Sequence, residues 1–234
     1  FHIEECTSTN DAVVSYISQQ PLGVALFTFC QTQGRGQYGN TWASPRNQNL
    51  AYSIALPLDK IHASDVSFNF HTAIIVKDFI AKMTHIDTNI KWPNDIILKG
   101  KKISGMLIEK RKIAERDYYI VGIGINILQE DFKHLPKAGS LFTQTGKSFD
   151  LNDFTQQFHQ EISDKLVLQN INENEILEQF NQNLFRKDQI SVFEIKGMRQ
   201  NGIIRNTDTD GFLWIELEND GLQRFYHKEV ELLY

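Results

Sequence analysis

The sequence predicts an α+β fold, and three observations carry that reading. From Ile90 onward, short apolar stretches (IKW, IIL, ISGMLIEK, DYYIVGIGINIL) follow one another across tight turns, as in a meander rather than alternating strand and helix units. Other segments place apolar residues at helical spacing, the longest from Asp65 to Met83. The tail from residue 187 to 234 turns to short strands separated by Asp-Gly and Asn-Asp-Gly corners, which reads as a small barrel or sandwich.

In chain order, Leu22 to Phe29 (LGVALFTF) is rich in β-formers and bounded by Pro21, a buried strand feeding a loop. Gln31 to Asn49 holds three Gly, one Pro and almost no aliphatics, and exceeds the usual connection of about 4–6 residues, so it is functional or disordered. Leu50 to Leu58 is a second strand. Asp65 to Met83 sets Val66, Phe70, Ala73, Ile74, Phe79, Ile80 and Met83 on helical spacing behind a Ser64/Asp65 cap. Asp150 caps a helix from Leu151 to about Leu168, and Glu173 to about Phe185 is another. The expected division is a main unit over 1–186 and an appendage over 187–234.

A chain of 234 residues supports two such units at most. With 41% hydrophobic residues, 16 Phe and a mean hydropathy of −0.35, intrinsic disorder is excluded as the main state. The 29 acidic against 24 basic residues give a net charge of −5, without the basic footprint of a general nucleic-acid binder. The tail is acidic too, with 9 acidic and 6 basic side chains. No apolar run approaches the roughly 20 residues of a membrane span. The opening Phe1-His2-Ile3-Glu4-Glu5 has no secretory signal and suggests a trimmed start, while two isolated cysteines, Cys6 and Cys30, point to a reducing cytoplasm.

Four stretches carry chemistry. In Gly34-Arg35-Gly36-Gln37-Tyr38-Gly39, glycines let the backbone approach a ligand while Arg35 offers a fork for phosphate or carboxylate; Gln31 precedes it and Trp42 follows. Lys91-Trp92-Pro93-Asn94-Asp95 is a turn that sets a cation beside a carboxylate; read blandly, it is a hairpin corner with Trp92 in the core. Lys102-Ile103-Ser104-Gly105 starts a strand. Gly122-Ile123-Gly124-Ile125-Asn126 marks close backbone approach with a polar group that needs partners. Two nucleotide motifs fail on spacing: Gly146-Lys147-Ser148 has Leu141 where a P-loop needs Gly, and Gly122-x-Gly124 has Ile127 at the third Gly. The seven histidines, at 2, 62, 71, 85, 134, 159 and 227, show no metal-ligand spacing.

With Ser8-Thr9-Asn10 before the first helix and the β-rich tail, these stretches in this order resemble the biotin protein ligase family. The resemblance covers nearly the whole chain. It implies a mixed β-sheet flanked by helices, class II synthetase-like, with a small C-terminal SH3-like barrel, and a ligase-only member without a winged-helix repressor head. It implies two half-reactions: biotin attacks the α-phosphate of ATP to give biotinyl-5'-AMP and pyrophosphate, and a lysine of a biotin carboxyl carrier protein then takes the biotinyl group.

The same resemblance assigns roles. Ser8, Thr9 and Gln31 would hydrogen-bond the uncharged ureido ring, with Asn10, Gly34, Arg35, Gly36, Gln37, Lys102 and Gly105 completing the biotin set. Lys102 would hold the biotin carboxylate and acyl-phosphate oxygens. Arg35, Trp42, Lys91, Asn94 and Asn126 would form the adenylate set, with Lys91 assisting the phosphates. Asp95 would steer or deprotonate the acceptor lysine, which is inert while protonated near its ordinary pKa of about 10.4. Mg2+ would arrive on the ATP phosphates, with no protein metal site. The loop over 31–49, partly disordered without ligand, would close to exclude water. Dimerisation through the main sheet edge is a habit of some relatives.

Two positions depart from the family pattern, since Gln37 and Asn40 stand where arginines are common. Weaker ATP affinity or a leakier intermediate is expected. A lipoate or octanoyl ligase shares the adenylate logic, and a non-catalytic biotin sensor would share the binding loop. Trp42 and the Lys-Trp-Pro-Asn-Asp turn favour biotin over lipoate, and intact Arg35, Lys91, Asp95 and Lys102 favour an enzyme.

Overall fold

The computed structural model describes residues 1–20, 23–167 and 172–234. Pro21 and Leu22 at the start of the first expected strand, and Leu168 at the end of an expected helix, lie outside the described residues. The chain opens with a one-turn helix α1 (Thr9–Ala12) that continues as a 3-10 helix over Val13–Gln19. Strand β1 (Val24–Thr28) leads into the long loop, which contains a small hairpin of β2 (Gly34–Arg35) and β3 (Thr41–Trp42). Strand β4 (Asn49–Pro57) is buried along its whole length and is followed by helix α2 (Asp65–Thr84). The Ser64 hydroxyl accepts from the Ser67 N–H, which satisfies an orphan donor of the first turn, as a cap should.

The meander is as expected: β5 (Asn89–Lys91), β6 (Asp95–Leu98), β7 (Lys101–Ile113) and β8 (Arg116–Asn126) are joined by short turns. The sheet order is β1-β4-β8-β7-β6-β5, and every ladder is antiparallel. Among the described residues, the parallel pairing expected of a mixed sheet is confined to isolated bridges, such as His2 to Phe27 and Cys6 to Gln31. One face of this sheet is covered by α2, α4 (Leu151–Lys165) and α5 (Glu173–Gln182). Phe79 meets Phe154 and Phe158 edge-on at 5.1 Å, and Phe70 stacks on Phe180. Each such buried ring contributes about 1.5–3 kcal/mol of burial free energy.

Helix α5 ends before Phe185 because the chain leaves it to run beside β5, with the Ile90 N–H donating to Asn183 O and the Phe185 N–H donating to Ile90 O. Helix α3 (Leu141–Thr145) was not expected; Ser140 and Thr143 close a capping box around it. The tail forms a second antiparallel sheet in the order β12-β11-β10-β9-β13, from β9 (Ile190–Ile195), β10 (Met198–Thr207), β11 (Leu213–Leu217), β12 (Gly221–Phe225) and β13 (Glu231–Leu233). Among the described residues, no ladder joins β12 to β13, so the sheet is open rather than a closed barrel. Its buried Phe193, Ile204, Ile215 and Phe225 belong to the same apolar cluster as the main sheet and helices.

Candidate active site

The strand register builds a trough on the sheet face opposite the large helices. Asp95 pairs with Gly105, Gly105 with Gly124 and Gly124 with Ala51, so a row across β6, β7, β8 and β4 carries three of the smallest side chains and ends in a carboxylate. The next row holds Leu107, Gly122 and Ser53. The two glycines of β8 are required by what lies above them. A Cβ on Gly124 would come 2.5 Å from the Trp42 ring, and one on Gly122 would collide with the Asn10 amide.

The trough walls enclose a small cavity of about 110 Å3, lined by Ser8, Thr9, Asn10, Gln31, Arg35, Gly36, Gln37, Trp42, Asn94, Asp95, Lys102 and Gly105 among others. Gly34 does not line it; a Cβ there would strike Gln31 and the Trp42 backbone, so its smallness lets β2 lie against β3. One end is a neutral polar cluster. Gln31 Oε1 accepts from the Thr9 N–H at 2.9 Å and from the Thr9 hydroxyl at 3.2 Å. The buried Ser53 hydroxyl lies 2.8 Å from Thr9 Oγ1 and 2.6 Å from Asn10 Oδ1. Ser53 is invisible in the sequence, where it sits mid-strand in an apolar run; its pairing with Gly122 places it behind the cavity lining, where it braces Thr9 and Asn10.

Arg35 is not a free cation. Its guanidinium pairs with Asp11 at 2.8 Å, and Arg111 pairs with Asp11 and Glu109 at 2.8 Å each. Partial burial would raise the Asp11 carboxyl, but Arg35 and Arg111 outweigh it and hold the group below its ordinary value. Glu109 also accepts from the Asn10 amide at 2.7 Å, so Asn10 is a brace rather than an open ligand group. Lys102 Nζ is 2.6 Å from Asp95 Oδ1 and 5.7 Å from the Trp42 ring centroid.

A second cavity of about 550 Å3 shares Trp42, Asp95 and Lys102 with the first and adds Lys91, Asn126, Lys137 and Tyr234. Burial holds the Lys91 ammonium below its ordinary value, against the pull of Asp95. The Asn126 amide donates to Gly139 O at 2.9 Å. Of the expected adenylate set, Trp42, Lys91 and Asn126 line this larger cavity, whereas Arg35 and Asn94 line the small one. The buried Asn94 donates to Met106 O and so fixes the turn. Trp92 is core, as its bland reading had it, and its Nε1 donates to Gly211 O at 3.1 Å, tying the turn to the second sheet.

The second sheet reaches the site. Lys228 Nζ donates to Tyr38 O at 3.1 Å, and the His227 ring lies 4.7 Å from the Tyr38 ring. His227, Lys137 and Tyr234 were not singled out from the sequence, because nothing local marks them. Among the described residues, no three His, Cys, Asp or Glu side chains gather as a metal site, and Asp95 and Glu231, beside the larger cavity, are paired with Lys102 and Lys137. Among the described residues, no helix is long and apolar enough to cross a membrane.

The fold is similar to solved biotin protein ligases. A structure of the Aquifex aeolicus enzyme in complex with biotin and ATP superposes with a TM-score of 0.82 at 24% identity, covering 100% of this chain and 97% of that one. Among curated proteins, the bifunctional ligase/repressor BirA of Bacillus subtilis is 35% identical over 137 residues, which are 56% of this chain and 42% of that protein. BirA of Escherichia coli is 30% identical over 121 residues, 51% of this chain and 38% of that protein. The chain thus spans about two fifths of the length of these relatives. The model of the Biotin/lipoate A/B protein ligase family matches residues 3–126, the stretch that builds α1, the hairpin loop and all six strands of the main sheet, and the chain belongs to that family.

Proposed function

We propose that this chain is a biotin protein ligase: it joins biotin to ATP as biotinyl-5'-AMP, releasing pyrophosphate, and passes the biotinyl group to a lysine of a biotin carboxyl carrier protein. The observation that carries this reading is the position of Lys102, which with Asp95 and Trp42 lines both cavities. A reaction that drives a carboxylate onto a phosphorus needs a cation common to the two substrate sites.

In this reading the small cavity takes biotin. Ser8, Thr9 and Gln31 offer neutral donors and acceptors to the ureido ring, with the buried Ser53 bracing Thr9 from beneath, while Gly36, Gly105 and the backbone of Gln37 leave room for the chain. At about 110 Å3 this space is tighter than the roughly 300 Å3 of ordinary ligand sites, so the loop moves outward as biotin enters. ATP takes the larger cavity, with Trp42 and Asn126 at the adenylate and Lys91, Lys102 and Lys137 along the phosphates. Arg35 leaves Asp11 for the reacting oxygens, and Arg111 stays to hold the carboxylate. Closure of residues 31–49 then keeps water from the anhydride.

Magnesium fits as an ion carried by the ATP phosphates. Asp95 and Glu231 are the carboxylates that border the larger cavity, and since each is paired with a lysine they would hold it through water rather than as a cage. Bound there, it would draw negative charge from the phosphoryl oxygens. Asp95, committed to Lys102, keeps the steering part of its expected role. We further read residues 1–186 and 187–234 as two units, the second SH3-like, in a cytoplasmic enzyme.

Biotin-dependent exchange of pyrophosphate into ATP tests the reading. Exchange with biotin, none with lipoate, and loss in Lys102→Ala are expected. Exchange with lipoate alone reassigns the substrate, and exchange with neither acid overturns the proposal.

A further inference from the structure

We propose that His227 is the base of the transfer step: it takes the proton from the acceptor lysine so that the amine can attack biotinyl-5'-AMP. This assignment rests on the ligase reading above and deepens it.

His227 lies in the segment between β12 and β13, yet it lines the same small cavity as Lys102 and Asp95. It also borders an outer cleft of about 490 Å3, walled by Gln37, Tyr38, Asn69 and Tyr226. It therefore stands between that cleft and the position of the activated carboxyl. A lysine entering from the cleft passes the imidazole before it reaches Lys102. The ring is fixed by Tyr38 at 4.7 Å and edge-on by Trp92 at 5.8 Å. Its Nδ1 is shut away from solvent and has no hydrogen-bond partner. With Nδ1 closed off in this way, the proton is taken at the other ring nitrogen, Nε2, while the contacts with Tyr38 and Trp92 keep the ring in place.

The alternative base, Asp95, is poorly suited to the task. Its Oδ1 is engaged by Lys102 at 2.6 Å, and a carboxylate is intrinsically a weak base toward an ammonium. His227 faces Lys91 and Lys102 across the site, Lys228 on its own segment, Asp95 at the turn, and the Tyr38 and Tyr226 phenols. Burial first, and then the three lysines against Asp95, hold the imidazole below its ordinary value, so it is neutral and able to accept a proton at pH 7.

The step balances as follows. The acceptor arrives as an ammonium; His227 takes one proton and becomes imidazolium, which frees the nitrogen lone pair. That pair forms the C–N bond at the acyl carbon, the bond from that carbon to the phosphate oxygen breaks, and AMP leaves with its electron pair. The second proton departs from nitrogen to water as the amide forms, and the imidazolium returns its proton to solvent.

The test uses the full chain carrying His227→Gln and reads the half-reactions separately. Biotin-dependent pyrophosphate exchange, which does not involve this proton, should fall at least tenfold less than transfer does. Single-turnover transfer from preformed biotinyl-5'-AMP to the biotin carboxyl carrier domain of an acetyl-CoA carboxylase should fall by about a hundredfold or more at pH 7, the usual scale of general-base catalysis. Transfer to hydroxylamine, whose nitrogen is already unprotonated at that pH, should be unchanged. In the wild type, transfer to lysine should decline as the pH falls below the ordinary histidine range, and in His227→Gln that limb should vanish. Carrier transfer within threefold of wild type overturns the assignment, as does an equal loss toward lysine and hydroxylamine, which would make His227 a positioning residue. Absence of exchange in the wild type overturns the ligase reading first and this step with it.

Discussion

Lys102 Nζ lies 2.6 Å from Asp95 Oδ1, and the two side chains meet over Gly105. A Cβ added to Gly105 would sit 3.2 Å from Lys102 Cε and 3.3 Å from Asp95 Oδ1. Cross-strand pairing of Asp95 with Gly105 is thus what lets a lysine from one strand fold back onto a carboxylate from the next.

Gly105→Ala should therefore separate folding from chemistry. The backbone there is ordinary strand and the crowding atom is on a flexible side chain, so stability should change by only about 0.5 kcal/mol. Lys102 must shift by a few tenths of an ångström or more, and reaction geometry is sensitive to such shifts, so exchange should fall about tenfold. Thermal melting paired with pyrophosphate exchange checks both halves; an unchanged exchange rate would mean that Lys102 is not held by this contact.

Gly124→Ala should act on Trp42 instead. The added methyl would lie 2.5 Å from the indole, a rigid bicycle that cannot bend aside, so Trp42 has to leave the trough. The KM for ATP should rise about tenfold or more, the scale of losing a stacking contact of roughly 1–3 kcal/mol. Indole emission should shift to the red in Gly124→Ala and show no such shift when the substitution is made in a Trp42→Phe background.

These glycines illustrate what a sequence discloses. Glycines within an apolar strand announced a close approach at 122 and 124, and the buried Asn126 announced a partner. What approaches was unreadable: Asn10 and Trp42 are distant in the chain, and only the order of strands brings them over β8. Ser53 looked like part of an apolar run because its neighbours face the helices while it faces the trough. His227 was set aside with the other histidines because spacing tests detect metal sites, whereas this imidazole earns its place through contacts with Tyr38 and Trp92. The helices and the meander were legible because periodicity is local; the openness of the C-terminal sheet was not, because closure depends on a pairing between its two end strands.

The ion pairs around Asp11 predict an acid-sensitive contribution to stability. Its carboxyl titrates lower in the folded chain than in the unfolded one, where the ordinary value is near 3.9. The unfolded state therefore binds the proton more readily. The stabilisation is complete above the unfolded value and is lost as pH falls through the folded one. Asp11→Asn should melt below wild type at about pH 6, and the difference should close as the pH is lowered toward about 3. With Asp11 exposed at 42% of its side chain, solvent screening keeps the effect small. Melting curves at stepped pH check this; a gap that is constant across the range would exclude the carboxylate charge as its source.

Asn40 borders both cavities, and Gln37 borders the small one. Neither carries charge at a site where a carboxylate and a triphosphate would meet, and the arginine nearest them, Arg35, is drawn toward Asp11 and Glu109. A cation at position 40 would sit where the two ligands join, so Asn40→Arg should add a charge-assisted hydrogen bond to the phosphates, worth roughly 1.5–3 kcal/mol when fully formed. On an exposed loop that gain shrinks, and about a tenfold fall in the KM for ATP is expected. The same contact should slow escape of biotinyl-5'-AMP, with Gln37→Arg acting more weakly because, of the two substrate cavities, it borders only the small one. Recovery of biotinyl-5'-AMP in the protein-free filtrate of an ultrafiltration spin, in the absence of carrier protein, measures the leak. If Asn40→Arg leaks as fast as wild type while its KM for ATP falls, the added charge serves ATP capture alone, and retention of the intermediate rests on closure of the loop.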